Sequence, residues 1–289
     1  MNKTAIKLFA LLCVSFLNAC SMAQMTVRMS MPMIEGGMTA MNREADLALA
    51  YAAMPANIEL MEGMLVNDPD NQPLLAIAAQ AYYGLAFGFV EDNNKTRAST
   101  FYYRGFLHGK HALIADGFNE KIFDGRLDDF EAALKKLDKD NLPAIFWTAS
   151  NWAKWIDVNR DKAVALAQFP KVVMLMQRAY DLDKNFFMSG PNLFFAVYYG
   201  SRAPMLGGDY KRSKKYFERA RQYNQDKLLM VDLLQAQYLD RQQFNRQAFH
   251  QRLTKIIQAD DDLYPEQTLV NMIAKQKARQ LLNKEDEWF

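Results

Sequence analysis

Cysteine and histidine, the usual material of covalent cross-links and soft-metal sites, are scarce: two cysteines and three histidines among 289 residues. Cys13 lies inside an N-terminal apolar run that reads as a signal segment, so the mature chain keeps only Cys20. One cysteine forms no intrachain disulfide, and a zinc site needs three or four ligands. His108-x-x-His111 places two imidazoles at i, i+3 on one helix, but no spaced carboxylate completes a ligand set, so the pair reads as packing or solvent contact. Asp260-Asp261-Asp262 lacks the spacing of a calcium loop. No G-x-S-x-G, phosphate-binding loop or dinucleotide fingerprint occurs. Neither an enzyme, a metal centre nor a cofactor is therefore expected. Glycine is also sparse, at 13 residues, and no stretch alternates as a strand does. That excludes a β-sandwich. Half the residues are apolar, enough to build a sizeable core and too many for a disordered chain.

Lys3 and Lys7 precede the apolar run Ile6 to Leu17, which is too short to span a membrane comfortably. Leu17-Asn18-Ala19-Cys20 then resembles a bacterial lipobox, in which cleavage precedes a diacylated cysteine. Residues 1–19 are thus read as a lipoprotein signal peptide and Cys20 as the site of lipid attachment. Ser21 stands where an aspartate would signal inner-membrane retention, which points to the periplasmic face of the outer membrane in a Gram-negative envelope. Losing Lys3 and Lys7 from 35 basic residues leaves 33 against 33 acidic ones, so no nucleic-acid surface is expected. Residues 20–38 hold six methionines with Pro32 and Gly36-Gly37, and read as a flexible tether. Thioethers suit Cu(I), but Met29-x-Met31-x-Met33 has no supporting histidine or cysteine nearby.

From residue 39 to 289 the spacing predicts helix after helix in one domain. Residues 39–53 and 55–67 form a first pair, with Pro55 at a helix start, followed by helices over 72–90 and 95–115. Gly84, Gly88, Gly105 and Gly109 within these are costly unless another helix passes close by. Asp161 is placed as the N-cap of a further apolar segment. Residues 171–183 and 209–224 resemble second helices of tetratricopeptide repeats. Their small closing residues, Ala179 and Ala220, lie 41 positions apart, against 34 in the standard repeat. The fold class is all-α: a degenerate tetratricopeptide-like array of helical hairpins, an α-solenoid or superhelix.

The centre of the chain, Asn141 to Val158, holds three of the four tryptophans. Pro143 suits a first helical turn, and Ile145, Ala149, Trp152 and Ile156 share one face. Trp147 and Trp155 lie off that face, so the helix is apolar round most of its circumference and is either core or the wall of an apolar cavity. On the second reading, the lining comprises Phe146, Trp147, Asn151, Trp155, Tyr198 and Tyr199, with Arg202 anchoring an anionic head.

Several separated segments resemble the TatT family, the T component of TRAP (tripartite ATP-independent periplasmic) transport systems. They are the lipobox, Tyr82-Tyr83 with Phe89-Val90-Glu91, Leu142-Pro143-Ala144-Ile145-Phe146-Trp147, Trp152-Ala153-Lys154-Trp155-Ile156, Leu206-Gly207-Gly208-Asp209 and the closing Trp288-Phe289. Departures fall in the methionine-rich segment and at Ala203-Pro204-Met205, and no role is carried onto those. The resemblance implies a periplasmic lipoprotein that partners the substrate-binding protein of the transporter, forms a homo-oligomer and contains an apolar cleft for a hydrophobic small molecule. The competing function is a generic repeat scaffold for assembling envelope proteins, which binds protein segments and no solute.

Overall fold

The computed structural model describes the backbone from Lys3 and the side chains from Met22 to Phe289. The side chains of Cys13 and Cys20 lie outside the described residues. Helix α1 (Lys3–Asn42) includes the whole segment expected to be a tether. The reason is tertiary. Val27, Met31 and Ile34 form an inner face that packs on the core, Met41 joins it further along, and Arg28 pairs with Asp68 at 2.9 Å. Burial of that face overrides the local cost of Pro32, Gly36 and Gly37. Helix α2 (Leu47–Asn67) is likewise continuous through Pro55, so the expected break at 54 does not occur, residues 39–42 belong to α1, and α2 packs on both α1 and α3. Asp46 caps α2, its carboxylate accepting from the Ala48 and Leu49 amides.

The same device recurs along the chain. Asn71 caps α3 (Gln72–Leu85), Asn94 caps α4 (Lys95–Ala115), Asp209 caps α10 (Tyr210–Tyr223) and Asn245 caps α12 (Arg246–Gln258). Between them run α5 (Leu127–Leu134), α6 (Leu142–Val158), the short α7 (Ala163–Leu166), α8 (Phe169–Leu182) and α9 (Phe186–Gly200). Lys162, not Asp161, precedes α7, and it makes no side-chain cap. After α10 come α11 (Leu229–Gln235), α13 (Thr268–Leu282) and α14 (Glu285–Trp288). No strand occurs among the described residues. The chain is an all-α array of packed helices.

Helices α3, α4 and α6 pack on one another and α8 adds to α6; α9 pairs with α10, and α11, α12 and α13 form the closing group. Two apolar cores result, one centred on α2 to α8 and the other on α9 to α13. Both α1 and α2 also touch α13, so the beginning of the array meets its end. The α4–α6 crossing is close because α4 presents glycine: a Cβ on Gly105 would strike the Asn151 amide, and one on Gly109 would strike Thr148. Gly88 is less tightly held, a Cβ there meeting the end of the Ile273 side chain at 2.9 Å, whereas Gly84 meets only the end of Met54 at 3.7 Å and has no close helix neighbour.

Gly109→Ala is expected to lower the melting temperature, at a cost of about 1–3 kcal/mol, because the Thr148 backbone cannot give way. Gly63→Ala, in the exposed middle of α2 with nothing within 4 Å, should instead stabilise by about 0.5–1 kcal/mol. Thermal denaturation of both variants checks the pair, and equal effects would contradict the packing account.

An apolar cavity at the seam of two cores

A cavity of about 510 Å³ lies where the two cores meet. One side is α6, whose Phe146, Trp147, Ser150, Lys154 and Asp157 recur at helical spacing and face the space. Across from it stand Leu193, Val197 and Tyr198 of α9, with Met230 and Leu234 of α11. The N-terminal half of α6 and the start of α9 supply mainly rings: Phe146 and Phe187 are 5.9 Å apart, and Trp147 and Phe187 4.6 Å apart, the latter edge to face. The charged groups come from the other halves of these helices: Lys154, Asp157 and Arg160 on and just beyond α6, and Arg202 just beyond α9.

Irregular backbone converges on this wall. Helix α3 ends in a π turn, Ala86–Val90, and α11 ends in another, Ala236–Asp240; Phe87 of the first and Tyr238 of the second line the cavity. Phe187, Met188 and Ser189, none of them glycine, have φ of 44°, 55° and 66°. Left-handed backbone costs roughly 1–2 kcal/mol per such residue, and strained or π-type backbone clusters at functional sites. Side chains hold this turn in place. The Asn224 amide donates to the Met188 carbonyl at 2.9 Å, and Asn192 donates to Lys184 O and Ser189 Oγ at 2.8 and 2.9 Å. Gly190 completes it, since a Cβ there would collide with the Phe146 ring. None of these features has a one-residue signature in the sequence.

Of the residues expected to line a cavity, Phe146, Trp147, Tyr198 and Arg202 stand on this wall, and Asn151, Trp155 and Tyr199 do not. Asn151 is a buried joint: its Nδ2 donates to Ala79 O on α3 and Trp147 O on α6, both at 2.9 Å. Trp155 is eight residues beyond Trp147, about 80° further round the helix, and meets Tyr103 of α4 at 5.5 Å. Tyr199 turns outward to stack on Tyr216 at 5.9 Å, beneath the Arg212 guanidinium at 4.0 Å. Arg202 donates to the Tyr198 carbonyl at 2.8 and 3.2 Å and lies 3.9 Å over the Tyr198 ring. Its partners among the described residues are thus a carbonyl and aromatic faces, not a carboxylate. The Gly207-Gly208 pair shapes the loop behind it: Gly207 has φ of 83°, and a Cβ on Gly208 would strike the Arg202 carbonyl.

Lys154 is different. Its ammonium lies 2.7 Å from Glu91 and 3.5 Å from Asp157, while Glu91 also accepts from Tyr102 OH at 2.7 Å and from Lys277 of α13 at 3.2 Å. Burial pushes the Glu91 carboxyl up, but Lys154 and Lys277 outweigh it and hold the group below the usual carboxylate range. Burial would likewise lower Lys154; Glu91 foremost, with Tyr102, Tyr238 and Asp157, keeps it well above its ordinary value. Both stay charged at neutral pH. The two histidines of His108-x-x-His111 face separate carboxylates, Glu62 and Asp70, each at 2.9 Å.

What these residues define is a helical array that holds an apolar cavity, with charged groups, mostly cationic, along one part of its wall. A family model described as TRAP transporter T-component matches residues 43–289, and the chain belongs to that family. No curated protein matches it. The protein is accordingly a component of a TRAP transport system and associates with that system's other parts.

Glu91→Gln is expected to cost about 3–5 kcal/mol at neutral pH, because Lys154 is left buried without its nearest counter-charge. A depressed carboxylate stabilises the fold above its unfolded pKa, about 4, and that contribution disappears as pH falls through the lower folded value. Unfolding measured from pH 7 downward should therefore show a shallower acid loss in Glu91→Gln than in the parent chain.

Proposed function

We propose that this protein is a non-catalytic accessory subunit, lipid-anchored through Cys20 at the periplasmic face of the outer membrane, that docks the substrate-binding protein of its transporter and receives a hydrophobic solute in the cavity. It acts as a homo-oligomer, and its helices follow the tetratricopeptide-like hairpin plan. The observation that carries the solute reading is the cavity itself, about 510 Å³ in volume and walled by Phe146, Trp147, Phe187 and Phe194. Cavities of 300–1,000 Å³ with a few placed polar groups are the usual form of a small-molecule site. A ligand burying about 200 Å² of apolar surface there gains roughly 5 kcal/mol before the cost of association.

Arg202 gives the solute a direction. A guanidinium whose only described partners are a carbonyl and rings has donors left for an incoming carboxylate or sulfonate. Lys154 and Arg160 are already neutralised, by Glu91 and Asp157 respectively. The preferred ligand therefore has an apolar body against the rings and an anionic head at Arg202. Nothing in this arrangement activates a nucleophile or poises an acid–base pair, so transfer between binding sites, not turnover, is the activity it suits.

Titration with anilinonaphthalene sulfonate tests this. Arg202→Ala should bind the sulfonate about tenfold more weakly, a loss of about 1.4 kcal/mol, while neutral N-phenylnaphthylamine binds as before. Equal effects on the two probes would remove the head-group assignment. Trp147→Ala should weaken both probes, whereas Trp155→Ala should lower the melting temperature and leave both affinities intact, since its ring packs on Tyr103 outside the cavity. Native capture from periplasm should recover the substrate-binding protein. Recovery of envelope-assembly machinery in its place would favour the scaffold function.

A further inference from the structure

Helix α1 is apolar on two opposite faces, and only one of them is used by the fold. Val27, Met31 and Ile34 point into the core. Met22, Met25, Met29 and Met33 are 69%, 62%, 70% and 78% exposed. At 100° per residue these four fall within an arc of about 80° on the side away from the core. The outer face of a water-exposed helix normally carries charge, yet residues 21–42 contain only Arg28 and Glu35 as charged groups. Both sit at the margins of the stripe, and Arg28 is held by Asp68. Val66 of α2, 82% exposed, adds to the apolar surface near that ion pair, two residues before Asp68.

We infer that this stripe is a membrane-contact face, lying in the boundary between headgroups and acyl chains of the leaflet that anchors the protein. The inference rests on the reading of Cys20 as acylated. If it is, the bilayer is the surface next to the helix: Met22 lies about 3 Å, and Met33 about 20 Å, along the axis from the lipid-bearing residue. A helix standing upright from that point would leave four thioether side chains in water. Lying down, it places them at the depth that interfacial helices occupy, roughly 5–10 Å, with Arg28, Glu35 and Thr26 left at the polar rim. Flexible methionines pack against lipid chains without needing a shaped partner. The acyl chains then set attachment, and α1 sets the tilt of the whole array above the membrane.

The test uses the full chain, expressed with its own signal, processed, and reconstituted in vesicles of phosphatidylethanolamine with a minor share of phosphatidylglycerol. An environment-sensitive fluorophore is placed by Met29→Cys and Met33→Cys, and at the exposed control sites Val164→Cys and Met205→Cys. The expected result is a blue-shifted emission at 29 and 33, quenched severalfold by bromine-labelled lipid and little by aqueous iodide, with the reverse at 164 and 205. Strong iodide quenching at 29 and 33 overturns the proposal and leaves acylation standing. Protection from both quenchers also overturns it, because protein, such as a second copy of the chain, then covers the face. The mass of the N-terminal peptide from the same sample separates the two levels. A Cys20 without acyl chains removes the anchor reading, and the membrane face with it.

Discussion

One carboxylate ties the structure together. Glu91, in the first position after the π turn of α3, accepts from Tyr102 on α4, Lys154 on α6 and Lys277 on α13. These come from the early, middle and late parts of the chain, and Asp92 adds a second bond to Lys277 at 2.6 Å. A charge so largely buried is tolerated only when it is paired and hydrogen-bonded, so the partners must all arrive for any of them to be stable. That requirement ties α6 and α13 to the end of α3, and the cavity opens beside this junction, with Phe87 and Lys154 on its wall and Val270 of α13 at its edge.

The cavity wall is made of departures from regular structure. Two π turns re-aim Phe87 and Tyr238, and three left-handed residues bring Phe187 and Met188 inward. Regular helices packed ridge into groove would tend to close such a space, because interiors fill to near crystalline density. The cost of the irregular turns is offset by Asn192 and Asn224, whose side-chain amides satisfy carbonyls that the broken helix exposes. Arg202 is held differently, by the Tyr198 carbonyl and ring, and meets no carboxylate among the described residues.

Much of the fold was legible in the sequence because the signals are local. Helical periodicity and the glycines that let α4 approach α6 are read from residues a few positions apart, whereas the capping residues Asn71, Asn94 and Asp209 were not singled out, and the one cap expected, Asp161, is not used. Four wall residues, Phe146, Trp147, Tyr198 and Arg202, could be named for the same reason: bulk and charge on a helix already apolar elsewhere. Asn151, Trp155 and Tyr199 were misplaced because facing is a matter of rotation, and a shift of about 80–100° turns a neighbour from cavity to core or outer surface. The two helices at the start were misjudged for the opposite reason. Proline and glycine at 32, 36, 37 and 55 speak for breaks locally, but α1 and α2 are held by distant partners on α13 and in the core. Lys154 was visible only as a letter in a motif, since its meaning depends on Glu91, 63 positions earlier.

The contact of α1 and α2 with α13 alters how such an array comes apart. In an open stack of repeats each terminal unit leans on a single neighbour, so melting starts at an end and runs inward like a zipper. Here the first hairpin and the last long helix lean on each other, and the circuit has no loose end at which to begin. Opening it anywhere exposes two faces at once. Loss of structure is therefore expected to be one cooperative event for the ring, the cavity wall included.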